Sequence, residues 1–145
     1  MTDVLTQKLI EKVVDHEGMK KSAYQDSLGF WTIGVGLCID ERKNAGLTTD
    51  EIFYLLNSRL TAARNQLTQY EWFKRLDRIR QDAVVELCFN LGLGGLLSFK
   101  NMINSLATKS YSVAASDLKN SLWYKQVGSR RGDDLCFRIR NGQYS

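Results

Sequence analysis

Apolar residues recur at helical spacing along most of the chain, so the pattern predicts a mainly helical protein. The first such segment runs from about Asp3 to His16, and Gly18 is expected to stop it. Thr48 and Glu51 have the spacing of a capping box and predict a second helix that ends in the region 64–67. Further helices are predicted over these segments: 77–91, ending at Gly92 with Gly94 and Gly95 in a loop; from about Phe99, capped by Ser98; 113–120; and 131–140.

One stretch departs from the helical pattern. Residues 24–36, YQDSLGFWTIGVG, place aromatic and β-branched residues around a Ser/Gly turn, which predicts a β-hairpin with Asp26 at the turn. The chain contains no proline, and no repeat or linker composition interrupts it. The pattern therefore predicts one domain with an α+β, predominantly helical fold. A small amino-terminal lobe containing the hairpin (about 1–66) is expected to pack on a larger all-helical carboxy-terminal lobe (about 67–145).

The reactive side chains narrow the possible chemistry. The 145 residues include one histidine, His16, and three widely spaced cysteines, Cys38, Cys88 and Cys136. A zinc site built from several histidines is therefore excluded. Each cysteine has apolar neighbours, so buried reduced thiols are favoured over disulfides or a metal site. Metal-free chemistry by carboxylates, with no cofactor, is the simpler hypothesis.

Charge and hydropathy limit the partners and the location. Lys and Arg outnumber Asp and Glu by 20 to 16, and the excess lies toward the carboxy-terminal half. A basic surface favours nucleic acid, an anionic membrane or an anionic cell-wall polymer, although solvated helix faces also explain any single basic residue. No apolar run is long enough to span a bilayer, and the amino terminus lacks the pattern of a signal peptide. We therefore expect a protein that is made in a cytoplasm and needs another route to act outside it.

Two carboxylates lie on either side of the predicted turn between the first helix and the hairpin. Glu17 falls at the helix carboxyl end, where the helix dipole disfavours a negative charge and tends to raise the pKa. Asp26, in a polar turn, should stay ionised. Cleavage of a glycosidic bond needs a proton donor and a second carboxyl group across the bond, and the hydroxyl of Thr32 could hold an attacking water against Asp26. Taken singly, the three residues also fit a solvated helix end, a turn and a strand.

The spacing of these residues is similar to a known signature. Glu17, eight residues, Asp26, five residues, Thr32 and then Ile-Gly-x-Gly resembles the catalytic signature of the phage-type lysozymes, the endolysin glycosidases typified by the T-even phage enzyme. Residues 76–92 are similar to the central helix of that family, and residues 114–130 to its carboxy-terminal segment, so the resemblance covers nearly the whole chain. It implies a lysozyme-like fold and a muramidase that hydrolyses the β-1,4 bond between N-acetylmuramic acid and N-acetylglucosamine with inversion.

The resemblance also assigns roles to single residues. It implies that Glu17, Asp26 and Thr32 are catalytic and that no metal or cofactor takes part. It implies a monomer that acts on peptidoglycan glycan strands after holin-type release. It places Phe89, Asn90 and Asp117 at substrate-binding positions. It places Arg130 at the position of an arginine that pairs with the catalytic Glu, a role that Arg131 could also take. Phe89 could equally belong to the core, and Trp123 is expected to be a packing residue.

Three alternatives use the same features differently. A lytic transglycosylase would use Glu17 alone and release an anhydro product. A catalytically inactive wall-binding module of the same fold would tolerate loss of Glu17. A nucleic-acid binder should present one continuous basic face and no paired carboxylates in a hairpin, so no nucleic acid is expected as a partner.

Overall fold

The computed structural model describes residues 4–25, 28, 31–34, 37–38 and 46–145. These residues form eight helices and one three-stranded sheet, so the α+β, predominantly helical fold is confirmed. The elements in chain order are α1 (Val4–Glu17), β1 (Lys20–Gln25), β2 (Trp31–Gly34), β3 (Leu37–Cys38), α2 (Thr49–Leu67), α3 (Glu71–Lys74), α4 (Arg78–Leu97), α5 (Lys100–Ala107), α6 (Tyr111–Lys119), α7 (Leu122–Val127) and α8 (Ser129–Asn141).

The chain divides into two compact units, Met1–Tyr54 and Leu55–Ser145. The first contains α1, the sheet and the start of α2 up to Tyr54, and the second contains the rest of α2 with α3 to α8. The sequence-based division into lobes at about residue 66 stays a prediction.

The first helix and the pairing of β1 with β2 follow the predicted pattern, whereas the third strand, β3, was not predicted. Gly18 lies just beyond α1 with a φ of 74°, and its N–H donates to the Val14 carbonyl at 2.8 Å. Only glycine adopts this left-handed backbone readily, so the residue type itself ends the helix. The sheet has the order β1-β2-β3 with antiparallel pairs throughout. β1 begins at Lys20, earlier than predicted. The prediction missed the first part of the strand because its exposed polar residues show no alternation of apolar and polar positions.

The capping box at the start of α2 is confirmed atom by atom. The backbone N–H of Thr48 donates to Glu51 Oε2 at 2.8 Å, and the backbone N–H of Glu51 donates to Thr48 Oγ1 at 3.2 Å. Two of the unpaired amide groups at the helix start are thereby satisfied. The helix runs to Leu67, within the predicted region.

The predicted helix end at Gly92 is confirmed, whereas the loop predicted to follow it is wrong. Gly92 has a φ of 75° and a ψ of 166°, so it ends the first helical segment of α4, and a second segment runs from this kink to Leu97. Gly94 and Gly95 are helical rather than in a loop. Two glycines make a poor helix on their own, but the fully buried Leu96 holds this turn in the core. A Cβ at Gly95 would lie 2.9 Å from Leu91 Cβ, so the bare glycine allows the close approach.

The prediction that Ser98 caps the next helix is also wrong. Ser98 closes α4 instead, with its hydroxyl donating to the Gly95 carbonyl at 2.6 Å. The α5 helix begins at Lys100, and the preceding Phe99 provides no side-chain cap. Only two residues separate α4 from α5, and the Ser98 hydroxyl bonds to α4, the helix that it ends.

The core of the second unit lies around α4. Six of the α4 residues are buried, and α6 packs against α5 and α8. Helices α6 and α8 were predicted with slightly different ends, whereas the short helices α3 and α7 were not predicted. Cys88 and Cys136 are buried free thiols whose pKa values burial raises, as expected. The side chain of Cys38 lies outside the described part of the chain.

Within the described residues, no single helix is long and apolar enough to cross a membrane. Helices α4 and α5 reach that length and composition only as a pair, which is bent by 102°.

Two glycines provide a matched test of the packing. A Cβ at Gly132 would lie 2.3 Å from Tyr124 Cδ2, and the Tyr124 ring is held by a 2.6 Å hydrogen bond from its hydroxyl to Asp133. We expect Gly132→Ala to lower the free energy of unfolding by about 1–3 kcal/mol because the added methyl overpacks the α7–α8 contact. Gly94→Ala meets nothing within 4 Å and should instead raise it by about 0.5–1 kcal/mol. Urea denaturation of both variants is the measurement, and shifts of the same sign would contradict this packing.

Candidate active site

Glu17 is the last residue of α1. The carbonyl groups at a helix carboxyl end carry partial negative charge, which disfavours a second negative charge there. The backbone of Glu17 thus lies where the sequence predicts it, while its side chain lies outside the described part of the structure. The preceding His16 is exposed in the last turn of the helix.

Thr32 lies in β2, the middle strand of the sheet. Its Cα pairs with Tyr24 on one side and with Cys38 on the other, and its exposed fraction is only 4%. A hydroxyl at a buried position is held by polar partners and is therefore ordered. Asp26 follows directly after the end of β1 and lies outside the described residues.

A cavity of about 690 Å³ opens within the second unit, a volume typical of ligand pockets. It is bounded by α2, α4, α7, α8 and the segment that follows α8. One stripe of α4 and one stripe of α8 face it at helical spacing. These stripes consist of Arg78, Asp82, Val85, Glu86, Phe89 and Asn90 on α4, and Arg131, Leu135 and Arg138 on α8.

The structure places the predicted residues Phe89 and Asn90 side by side on this cavity. Phe89 is 48% exposed and is therefore not a core residue. Asn90 Oδ1 accepts a hydrogen bond of 2.8 Å from Trp123 Nε1. Trp123 is buried, as expected, but its indole N–H also fixes the orientation of a cavity-lining amide, a role that the sequence did not reveal.

Arg138 connects the two helical stripes from a buried position. Its Nη2 donates to Glu86 at 2.7 Å and to Asp134 at 2.8 Å, and its side chain is only 5% exposed. Burial disfavours the charged guanidinium, but the hydrogen bond and charge of Glu86, together with Asp134, outweigh it and raise the pKa of Arg138. Glu86 and Arg138 are far apart in the sequence, so no local pattern could have predicted the pair.

Asp82 closes the end of the cavity near the chain terminus. It forms ion pairs with Arg64 and with Arg78, the latter at 3.2 Å, and it accepts a 2.8 Å hydrogen bond from the Tyr144 hydroxyl. Burial and this hydrogen bond raise the pKa of Tyr144. The Tyr144 ring also lies 5.2 Å from the Arg138 guanidinium carbon. Both oxygens of Asp82 are therefore occupied.

Asp117 and Arg130 lie on other cavities. Asp117 accepts a 3.3 Å hydrogen bond from the Ser105 hydroxyl and borders a cavity of about 280 Å³ beside the start of α5. Arg130 is exposed and borders a cavity of about 700 Å³ that Glu86 and Arg131 share with it. The structure thus brings Phe89 and Asn90 together but not Asp117, and the functional roles of all four predicted residues stay predictions.

Comparison of the sequence with known proteins finds lysozymes and endolysins of the phage type. A family model described as phage lysozyme matches residues 14–138, which include the hairpin and α4. The probable T4-type lysozyme 1 of Dictyostelium discoideum is 27% identical over 141 residues, which cover 79% of this chain and 83% of the relative. The SAR-endolysin of Haemophilus phage HP1 is 29% identical over 112 residues, or 76% of this chain and 60% of the endolysin. The pre-baseplate central spike protein Gp5 of Enterobacteria phage T4 is 24% identical, over 24% of its own length.

Proposed function

Because the chain belongs to the phage lysozyme family, it is a peptidoglycan-lytic enzyme, and we propose that it is a muramidase. The bond cleaved is the β-1,4 linkage between N-acetylmuramic acid and N-acetylglucosamine. The observation that carries the proposal is the family match over residues 14–138. That one match takes in the signature Glu17, Asp26 and Thr32 together with Phe89 and Asn90 on the cavity.

Glu17 is the proposed general acid. Its position at the carboxyl end of α1 favours the protonated carboxyl group, because the helix dipole opposes a negative charge there. The proton passes to the glycosidic oxygen as the bond to the anomeric carbon breaks, and the bonding electrons leave with that oxygen. Asp26 accepts a proton from water as that water attacks the anomeric carbon from the opposite face. Thr32, buried in the middle strand, holds the water, and the configuration inverts.

The charges around the cavity favour an anionic polymer. Asp82 pairs with two arginines, and Glu86 shares Arg138 with Asp134. Arg131 also lines the cavity and forms no ion pair with any residue that the structure describes. The cavity therefore carries a surplus of positive charge, which suits a glycan strand that bears carboxylates. The formal net charge of +4 adds to this attraction.

We expect lysis to slow as salt rises. Surface attraction is screened once the Debye length falls below about 10 Å, which occurs above about 0.1 M ionic strength. The measurement is the turbidity decrease of permeabilised cells across a salt series, with circular dichroism at each salt concentration to verify folding. A rate that stays constant while the protein remains folded would mean that the positive charge does not assist catalysis.

Reduction of the new chain ends tests which bond is cleaved. Borohydride converts a newly exposed reducing sugar into its alcohol, so a muramidase should generate muramitol from purified peptidoglycan. Glucosaminitol in its place would assign cleavage to the other glycosidic bond and would overturn the muramidase proposal while leaving a peptidoglycan-lytic enzyme.

The proposal extends to the state in which the enzyme acts. We propose a monomer that is made in the host cytoplasm, needs no cofactor and reaches the wall after holin-type release. The presence of an endolysin among the relatives supports action on the wall.

A further inference from the structure

Glu86 is a cavity carboxylate that the proposed mechanism does not use. Its Oε1 accepts the hydrogen bond from Arg138, and its side chain is 40% exposed. Its Oε2 has no hydrogen bond to any residue in the described ranges. Unlike Asp82, whose two oxygens are occupied, Glu86 therefore offers a free acceptor to the cavity that it lines.

Asn90, one helical turn further along α4, offers the complementary group. An indole N–H is only a donor, so its 2.8 Å contact identifies the Asn90 atom facing Trp123 as the amide oxygen. The amide nitrogen of Asn90 is then left as a donor, and it has no hydrogen bond within the part of the chain that the structure describes. Trp123 is 4% exposed, so it holds this orientation from a packed position.

We propose that Glu86 and Asn90 together recognise the acetamido group of an N-acetylated sugar. Residues four apart on a helix are neighbours, with Cβ atoms about 5–6 Å apart. The acetamido N–H would donate to Glu86 Oε2, and its carbonyl would accept from Asn90 Nδ2. Phe89 lies between them in the sequence and exposes apolar ring surface to the same cavity, which suits the acetamido methyl group. Trp123 is a positioning residue in this arrangement.

The ion pair with Arg138 explains how a carboxylate can serve a neutral ligand. Arg138, which Glu86 shares with Asp134, fixes one of the Glu86 oxygens, so the other oxygen acts as an ordered acceptor. A sugar that has lost its acetyl group presents an ammonium group instead and lacks the carbonyl that Asn90 would bind. It would also meet the positive charge of Arg131. A site that hydrogen-bonds a specific group discriminates against ligands that lack it. This inference rests on the proposed function, since it assumes that a glycan enters this cavity.

Binding of short glycans tests the inference separately from catalysis. The probes are the trimer of N-acetylglucosamine and the trimer of glucosamine, titrated by calorimetry into the intact protein. We expect the wild type to bind the acetylated trimer about tenfold more tightly than the deacetylated one. Glu86→Gln keeps an oxygen that accepts from Arg138 but replaces the free carboxylate oxygen with an amide NH2 group. Asn90→Asp keeps an oxygen that accepts from Trp123 but removes the amide N–H donor. Each should lose about tenfold in affinity for the acetylated trimer.

Two further variants separate recognition from structure. Trp123→Phe keeps an aromatic ring but lets the Asn90 amide rotate, so it should reduce the preference for the acetylated trimer. Glu71→Gln makes the same carboxylate-to-amide change at an exposed position on α3 and should bind like the wild type. Unchanged affinity in Glu86→Gln and Asn90→Asp, or equal losses for both trimers, would overturn the inference. Failure to hydrolyse peptidoglycan would instead overturn the proposed function, because calorimetry requires no turnover.

Discussion

Glu17→Gln is expected to lower the rate of peptidoglycan hydrolysis by about a thousandfold and to leave the fold intact. Glutamine has the shape of glutamic acid but cannot donate the proton that the leaving oxygen needs, and general acid catalysis contributes about 10²–10⁴-fold. The substitution lies at the last position of α1, where it removes no intrahelical backbone hydrogen bond. The measurement is the initial rate of turbidity loss of purified walls, with thermal unfolding to verify the fold.

Glu11→Gln provides the matched control for this variant. Glu11 is an exposed glutamate on the same helix, so the change removes the same charge at a position with no proposed part in the reaction. It should retain wild-type activity. A folded Glu17→Gln protein that clears walls as fast as Glu11→Gln would remove Glu17 from the mechanism.

The second large effect is expected at Thr32. Valine has the branched shape of threonine without the hydroxyl, so Thr32→Val should preserve the packing of β2 and lose the group that holds water. We expect at least a hundredfold decrease in kcat. Because the hydroxyl is buried, its loss can also destabilise the sheet, and the free energy of unfolding must be measured alongside kcat.

Thr32→Ser separates these two effects. Serine keeps the hydroxyl and loses only a methyl group, so it should recover most of the activity while losing some packing stability. If Thr32→Ser were as slow as Thr32→Val, the water-positioning role of the hydroxyl would be wrong. If Thr32→Val were as active as the wild type, the same role would be wrong even though the glycosidase function would stand.

The sequence correctly predicted those elements that depend on interactions between residues close together in the chain. The Thr48 and Glu51 capping box requires only two side chains within one turn, and both of its hydrogen bonds are present. The stop at Gly18 depends on the backbone of a single residue. The break at Gly92 was predicted from its residue type, but the helical turn after it was not, because the burial of Leu96 rather than local propensity holds Gly94 and Gly95 in a helix.

Those parts of the candidate site that depend on tertiary contacts could not be predicted. Phe89 and Asn90 were identified through the family resemblance, and the structure places both on a cavity. The Arg138 pair with Glu86 and the Trp123 bond to Asn90 join distant parts of the chain. No periodicity or spacing encodes such pairs, so only the packed structure reveals that Glu86 faces the same cavity as the predicted residues.

The most direct test of the central claim is digestion of purified peptidoglycan in water enriched in oxygen-18, followed by mass spectrometry of the released fragments. Hydrolysis by water predicts muropeptides whose reducing N-acetylmuramic acid carries one solvent-derived oxygen. Fragments ending in anhydro-muramic acid, with no solvent oxygen incorporated, would contradict the account, because they would mean that the sugar rather than water completes the reaction.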